Sequence, residues 1–284
     1  MDHFQAVFDR FAPRAQAFFA GKLCDAFAFD NDAGRGYLHI LRQGRLRVAR
    51  DGQDDLDLDQ PSIILLPRRT PHIFTPDAAG ADLVCATIDM GGNAGNPIAL
   101  ALPDMLVLPI AEMTTLGPTI DLLLDEGLAG RDGRQVALDR LFEYLLVQVI
   151  RHIVGSSRVS TGMLAALAEP ALARAISAMH AEPGRGWTLD DLADLAGMSR
   201  TNFAGSFRVV VGATPIDYLT RWRITVAQTL MRQDRPIKAI ASAVGYDSPA
   251  AFSRTFTRIV GVPPRAWLAN EGARLVSKGA SGLI

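Results

Sequence analysis

Four side chains in the first hundred residues have the donor atoms for metal or redox chemistry: His39, His72, Cys24 and Cys85. A catalytic metal normally takes three or more N, O or S ligands. The neighbours of His39 two positions away are Tyr37 and Leu41, and no glutamate follows it before Glu112. His39 and His72 therefore remain a partial ligand pair, and no metal or cofactor is expected. The two cysteines are the only ones in the chain, too few for a disulfide framework. "ADLVCATIDM" alternates as a strand, with Leu83, Cys85 and Thr87 on one face, where a lone cysteine usually packs as a small hydrophobe. A strand through "KLCDAF" would put Lys22 and Cys24 on one face, and a nearby ammonium lowers a thiol pKa. Inert packing and a redox role for Cys24 and Cys85 both stay open on these grounds.

A second kind of chemistry is written twice. "GMSRTNFAGSFRVVVG" starts at Gly197, and "GYDSPAAFSRTFTRIVG" starts at Gly245. Leu192, Gly197, Phe203, Phe207, Gly212 and Pro215 answer to Ile240, Gly245, Phe252, Phe256, Gly261 and Pro264. In each copy a helix ends at a glycine able to take the left-handed conformation. A short turn follows, and Ser199 or Ser248 stands ready to cap the next helix. That second helix buries phenylalanines four apart and carries arginine and small residues on its other face. Helix, tight turn, helix is the plan whose second helix enters the DNA major groove. "PIDYLTRWRITVAQTLMRQ" reads as one long helix between the copies, a spacer that would hold two base-reading helices in register with successive turns of one duplex.

The elements that must position these groups fall into two halves. Residues 1–165 hold 15 Lys+Arg against 21 Asp+Glu, and residues 166–284 hold 14 against 9, so the basic excess lies with the doubled motif. No apolar run approaches the ~20 residues of a membrane span, and the acidic, aromatic start "MDHFQAVFDRF" does not read as a signal peptide. A cytoplasmic location is expected. Residues 1–22 read as a helix or arm. Short strands are expected at 23–29, 36–42, 45–50, 62–66, 72–75 and 82–90, with a hairpin at Asp51-Gly52. The region from 91 to 118 reads as loop apart from "MLVLP". From 119 to 154 the period turns helical, with Leu138, Leu141, Leu145, Val149, His152 and Ile153 as an apolar stripe. "GSSRVSTG" at 155–162 reads as a linker.

At the doubled motif the chain resembles the AraC/XylS family of bacterial transcription regulators, over roughly 170–268. "LADLAGMSRTNFAGSF", "YLTRWRITVAQTLM" and "IKAIASAVGYDSPAAFSRTFTRIVGVPPRAW" carry the likeness. The resemblance implies double-stranded DNA as a partner, RNA polymerase as a second, and activation as the commoner mode of control. It assigns Arg200, Thr201, Ala204, Gly205 and Arg208 to DNA on the first reading helix, and Ser248, Pro249, Ala250, Ser253 and Arg254 on the second. Ala204 and Gly205 depart from members with bulky polar readers, so contact with thymine methyls or shape readout would serve there.

"YLHILRQGRLRV" and "QPSIILLPRRTPHIF" resemble paired strands of the cupin barrel. The implied fold class is α+β, with a cupin-like sensor at 1–118 and a helical dimerisation or linker segment at 119–162. A DNA-binding domain with two helix-turn-helix motifs follows at 163–268, then a tail at 269–284. Many cupins are metalloenzymes built on an HxH…E motif that is missing here, so an enzyme is not expected. This type of sensor is similar to that of an oxidant-responsive subgroup with one cysteine near the first strand and another late in the barrel. The effector expected from it is an oxidant acting at Cys24 and Cys85, or else a small molecule held in the barrel. The 134–154 helix serves either a homodimer or the barrel of its own chain.

Overall fold

Strands dominate the first half of the chain in the computed structural model, which describes residues 13–30, 35–90, 97–113, 115–156 and 161–269. They are β1 (Arg14–Leu23), β2 (Phe27–Phe29), β3 (Gly36–Gln43), β4 (Leu46–Ala49), β5 (Leu56–Leu58), β6 (Ser62–Leu66), β7 (His72–Pro76), β8 (Ala81–Asp89) and β9 (Leu106–Pro109). Two antiparallel sheets result, ordered β1-β8-β3-β6-β9 and β2-β7-β4-β5. Their facing sides enclose one core, built from Phe29, Tyr37, Leu46, Val48, Ile64, Phe74, Leu83 and Cys85 among others.

The larger sheet is buried on its second face as well. That is why β6 carries an apolar run rather than an alternation, and why β3 is buried at every position from Gly36 to Leu41. Two helices, α2 (Gly117–Leu128) and α3 (Arg134–Gly155), pack against its β1 edge, while a short α1 (Pro97–Ala101) precedes β9. Gln135 and Asp139 of α3 bond the backbone of β1: Ala17 N–H donates to Asp139 Oδ1 at 2.8 Å, and Gln135 Nε2 donates to the Ala17 carbonyl at 2.7 Å.

Several expectations change here. Residues 14–23 are an edge strand rather than a helix or arm, paired along β8 with a bulge at Phe18 between Ala17 and Phe19. Phe4, Phe8 and Phe11 lie outside the described residues. The strand through "KLCDAF" ends at Leu23, so Lys22 and Cys24 are not successive positions on one strand face. The acidic β5 was not legible, and the 91–118 region holds α1 as well as the expected "LVLP" strand. On α3 the buried stripe is Leu138, Phe142, Leu145, Leu146, Val149, Ile150 and Ile153. It is consumed inside the same unit, which leaves the opposite face, with Val136 and Tyr144, exposed.

The chain divides into two compact units, which among the described residues are 13–156 and 161–269. The second unit is helical: α4 (Met163–Ala168), α5 (Pro170–Ala181), α6 (Leu189–Ala196), α7 (Arg200–Val211), α8 (Pro215–Arg232), α9 (Ile237–Ala243) and α10 (Pro249–Val260), with a last turn at 264–269. Residues 157–160 of the expected linker and 270–284 of the expected tail lie outside the described residues.

Candidate nucleic-acid interface and sensor interior

The pairs α6–α7 and α9–α10 repeat each other down to single hydrogen bonds. Gly197 and Gly245 both stand in the left-handed region, at φ 69° and 80°. In each turn the next amide reaches back five residues: Met198 N–H to the Ala193 carbonyl at 3.0 Å, Tyr246 N–H to the Ala241 carbonyl at 2.9 Å. This is the glycine C-cap that closes a helix while satisfying its last carbonyls. Ser199 Oγ then accepts from Asn202 N–H, and Ser248 Oγ from Ala251 N–H, starting α7 and α10. Phe203 and Phe207 lie 5.5 Å apart at 59°, Phe252 and Phe256 5.6 Å apart at 60°. All four are fully buried, which anchors each helix and turns its other face outward.

On those outward faces Arg200, Thr201, Gly205 and Arg208 of α7 are exposed and Ala204 is half-buried. Pro249, Ala250 and Arg254 of α10 are exposed, while Ser248 and Ser253 are half-buried. Arg200 Nη1 bonds Asp190 Oδ2 on α6 at 3.2 Å, a surface pair that DNA would compete for. Sequence reasoning missed a third cationic feature. Arg208, Arg221 and Arg258 line a 370 Å³ cleft beside Thr214, where α8 begins. Guanidinium groups around a helix N-terminus suit a phosphate oxygen. The ends of two repeats form that cleft, so no single stretch of sequence displays it.

Inside the barrel His39 is fully buried and His72 is 3% exposed. Their Nε2 atoms meet at 3.1 Å, and His72 Nδ1 bonds the Thr70 carbonyl at 2.8 Å. Tyr37 stacks on His39 with 5.4 Å between ring centres, and Phe29 stacks on His72 at 4.9 Å. Burial, and then the proximity of His72, push the pKa of His39 well below the ordinary histidine value. Burial pushes His72 down to about 4. Both imidazoles are therefore neutral at pH 7. Among the described residues no three His, Cys, Asp or Glu side chains gather as a metal-ligand set. The aromatic wall of this pair could have been read from the i±2 neighbours Tyr37 and Phe74.

The two cysteines differ. Cys24 is exposed just after β1, whereas Cys85 is fully buried in β8, in register with Phe19 of β1 and His39 of β3. Burial raises the Cys85 thiol pKa far above its ordinary value, so that thiol resists ionisation. Leu23 pairs with Ala81, four residues along β8 from Cys85. At ~3.3 Å per residue Cys24 is on the order of 13 Å or more from Cys85, beyond disulfide reach. A disulfide between the two in one chain does not fit this register.

A family model described as Cupin matches residues 2–155, and one described as Helix-turn-helix domain matches residues 192–270. A Streptomyces lividans protein described as an AraC-like transcription regulator is 41% identical over 80% of this chain and 84% of its own length. The chain belongs to the AraC-like transcription regulators. An uncharacterised HTH-type transcriptional regulator of Haemophilus influenzae is 27% identical over 83% of this chain and 86% of its own. The RCS-specific HTH-type transcriptional activator RclR of Escherichia coli is 29% identical over 80% and 81%. As an AraC-like regulator with a cupin domain the chain acts by binding DNA in a sequence-specific way, and not as an enzyme. No described helix is long and apolar enough to cross a membrane.

Proposed function

We propose that this AraC-like regulator is a transcriptional activator whose output is set by oxidation of Cys24 in the cupin unit. The observation that carries the reading is the contrast between the two thiols: Cys24 faces solvent, while Cys85 is sealed in the core. An oxidant arriving from solution therefore meets Cys24 first. With a peroxide, the Cys24 thiolate forms an S–O bond, the O–O bond breaks, and hydroxide leaves and is protonated to water, giving sulfenic acid. A relative that carries the name of an RCS-specific activator supports the same reading. A small-ligand effector has less support, because Phe29, Tyr37, His39, His72 and Phe74 already pack the barrel interior.

In this reading Arg200, Thr201, Ala204, Gly205 and Arg208 of α7 meet one major groove. Ser248, Pro249, Ala250, Ser253 and Arg254 of α10 meet the next. RNA polymerase is the second partner, and a homodimer would use the exposed face of α3 around Val136 and Tyr144. The test is reporter output and operator binding with hydrogen peroxide or hypochlorite and with reductant, in wild type, Cys24→Ser and Cys85→Ser. Loss of the response in Cys24→Ser, with Cys85→Ser close to wild type, is the expected result. Full response in both variants removes oxidation from the account and returns the barrel to a ligand-sensing role.

A further inference from the structure

Arg223 lies at mid-length on α8, the helix that joins the two helix-turn-helix pairs. Its Nε donates to the Pro183 carbonyl at 2.7 Å and its Nη2 to the Arg185 carbonyl at 2.8 Å. One planar guanidinium thus grips the backbone of the loop that leads into α6 of the first pair. The same group lies against the turn of the second pair. A Cβ placed on Gly245 would sit 2.9 Å from Arg223 Nη2 and 2.7 Å from the Gly184 carbonyl oxygen. A Cβ on Gly184 would sit 2.7 Å from the Ala243 carbonyl oxygen. The two repeats therefore touch backbone to backbone, glycine to glycine, with Arg223 wedged beside them.

We propose that Arg223, through this glycine junction, is a positioning residue that sets the separation of α7 and α10 and so the half-site spacing the protein accepts on DNA. A spacer helix alone fixes a distance but leaves each pair free to rock about its own connection. A contact shared by the loop before α6, the middle of α8 and the turn after α9 removes that freedom. The demand on rigidity is high, because one added base pair displaces the second half-site by about 3.4 Å and turns it by about 35°. The inference rests on the reading of α7 and α10 as the base-contacting helices.

The test uses the full chain. A bipartite site is first selected from a random-sequence duplex library with wild-type protein. Affinity is then measured on that site and on versions with one base pair added or removed between its halves. Wild type should prefer its own spacing by about tenfold or more. In Arg223→Gln and in Gly184→Ala that ratio should fall to about threefold or less, with the base preference inside each half unchanged. Arg223→Lys, which keeps the charge but not the fork, should fall between them. Variants that bind every site more weakly, or equally well, while keeping the wild-type spacing ratio would overturn the proposal. Wild-type protein with no spacing preference at all would instead overturn the two-helix reading beneath it. If Arg223→Gln no longer unfolds cooperatively, Gly184→Ala decides, because its methyl parts the two backbones with Arg223 in place.

Discussion

His39 and His72 face each other inside the barrel with their Nε2 atoms 3.1 Å apart. The Thr70 carbonyl can only accept, so His72 carries its proton on Nδ1 and presents a bare Nε2. His39 must then donate from Nε2, which leaves its buried Nδ1 as an acceptor with no partner. Burial favours the neutral form of both rings, since an added proton would place a charge inside the barrel.

Acid should therefore destabilise the cupin unit. Unfolded, each imidazole takes a proton near pH 6.5; folded, His72 does so only near 4, and His39 well below 6.5. The unfolded chain binds more protons in that window, so stability is full above pH 6.5 and falls as pH drops toward 4. The share of His72 between pH 7.5 and 5 is roughly 2 kcal/mol. Calorimetric unfolding at those two pH values should show the loss in wild type and a flatter response in a His39→Leu/His72→Phe double variant. Equal slopes in the two proteins would place the acid sensitivity elsewhere.

The twin glycines should not be equivalent. Gly197 and Gly245 share the left-handed conformation, which costs a non-glycine residue ~1–2 kcal/mol. Beyond that strain, a methyl on Gly197 meets only Arg174 Nη2 at an ordinary 3.5 Å, whereas on Gly245 it collides with Gly184 and Arg223. Gly245→Ala should thus cost at least ~1 kcal/mol more than Gly197→Ala in denaturant titrations. Equal costs would mean that the junction yields without strain.

Arg254 stands exposed one turn into α10, on the side away from Phe252 and Phe256. If it forks onto a guanine, Arg254→Ala should cost about 1–3 kcal/mol and relax preference at one base position. Binding to a set of single-base operator variants measures this. A uniform loss across the set would assign the residue to phosphate.

Asp190 holds Arg200 at 3.2 Å and places a negative charge beside the proposed groove-facing helix. Asp190→Asn should raise DNA affinity about two- to fivefold at low salt, with the gain shrinking as salt rises. Unchanged affinity at low salt would remove Arg200 from the interface.

Much of the helical unit was legible because its signals are local. A glycine at φ > 0, a serine three residues before a free amide and phenylalanines four apart act within one or two turns, so 197–212 and 245–261 declare themselves. The strand face of Cys85 and the turn at Asp51-Gly52 after β4 were visible for the same reason. Edge strand β1 was not, because only the cover of α3, through Asp139 and Gln135, explains the burial of Ala15 and Ala17. The strand argument for Lys22 and Cys24 failed at a boundary, where strand length is set by partner β8 and not by the residues themselves.

By itself the sequence determined that this chain is an α+β protein with a doubled helix-turn-helix module behind a strand-rich unit, since capping, turn conformation and apolar period depend on near neighbours. Tertiary structure alone decided which distant groups meet. It set His39 on His72, kept Cys24 away from Cys85, buried the α3 stripe in its own unit and brought Gly184 against Gly245 under Arg223. Those relationships join residues tens of positions apart. They follow from sheet register and helix packing, which are properties of the whole folded unit and not of any stretch within it.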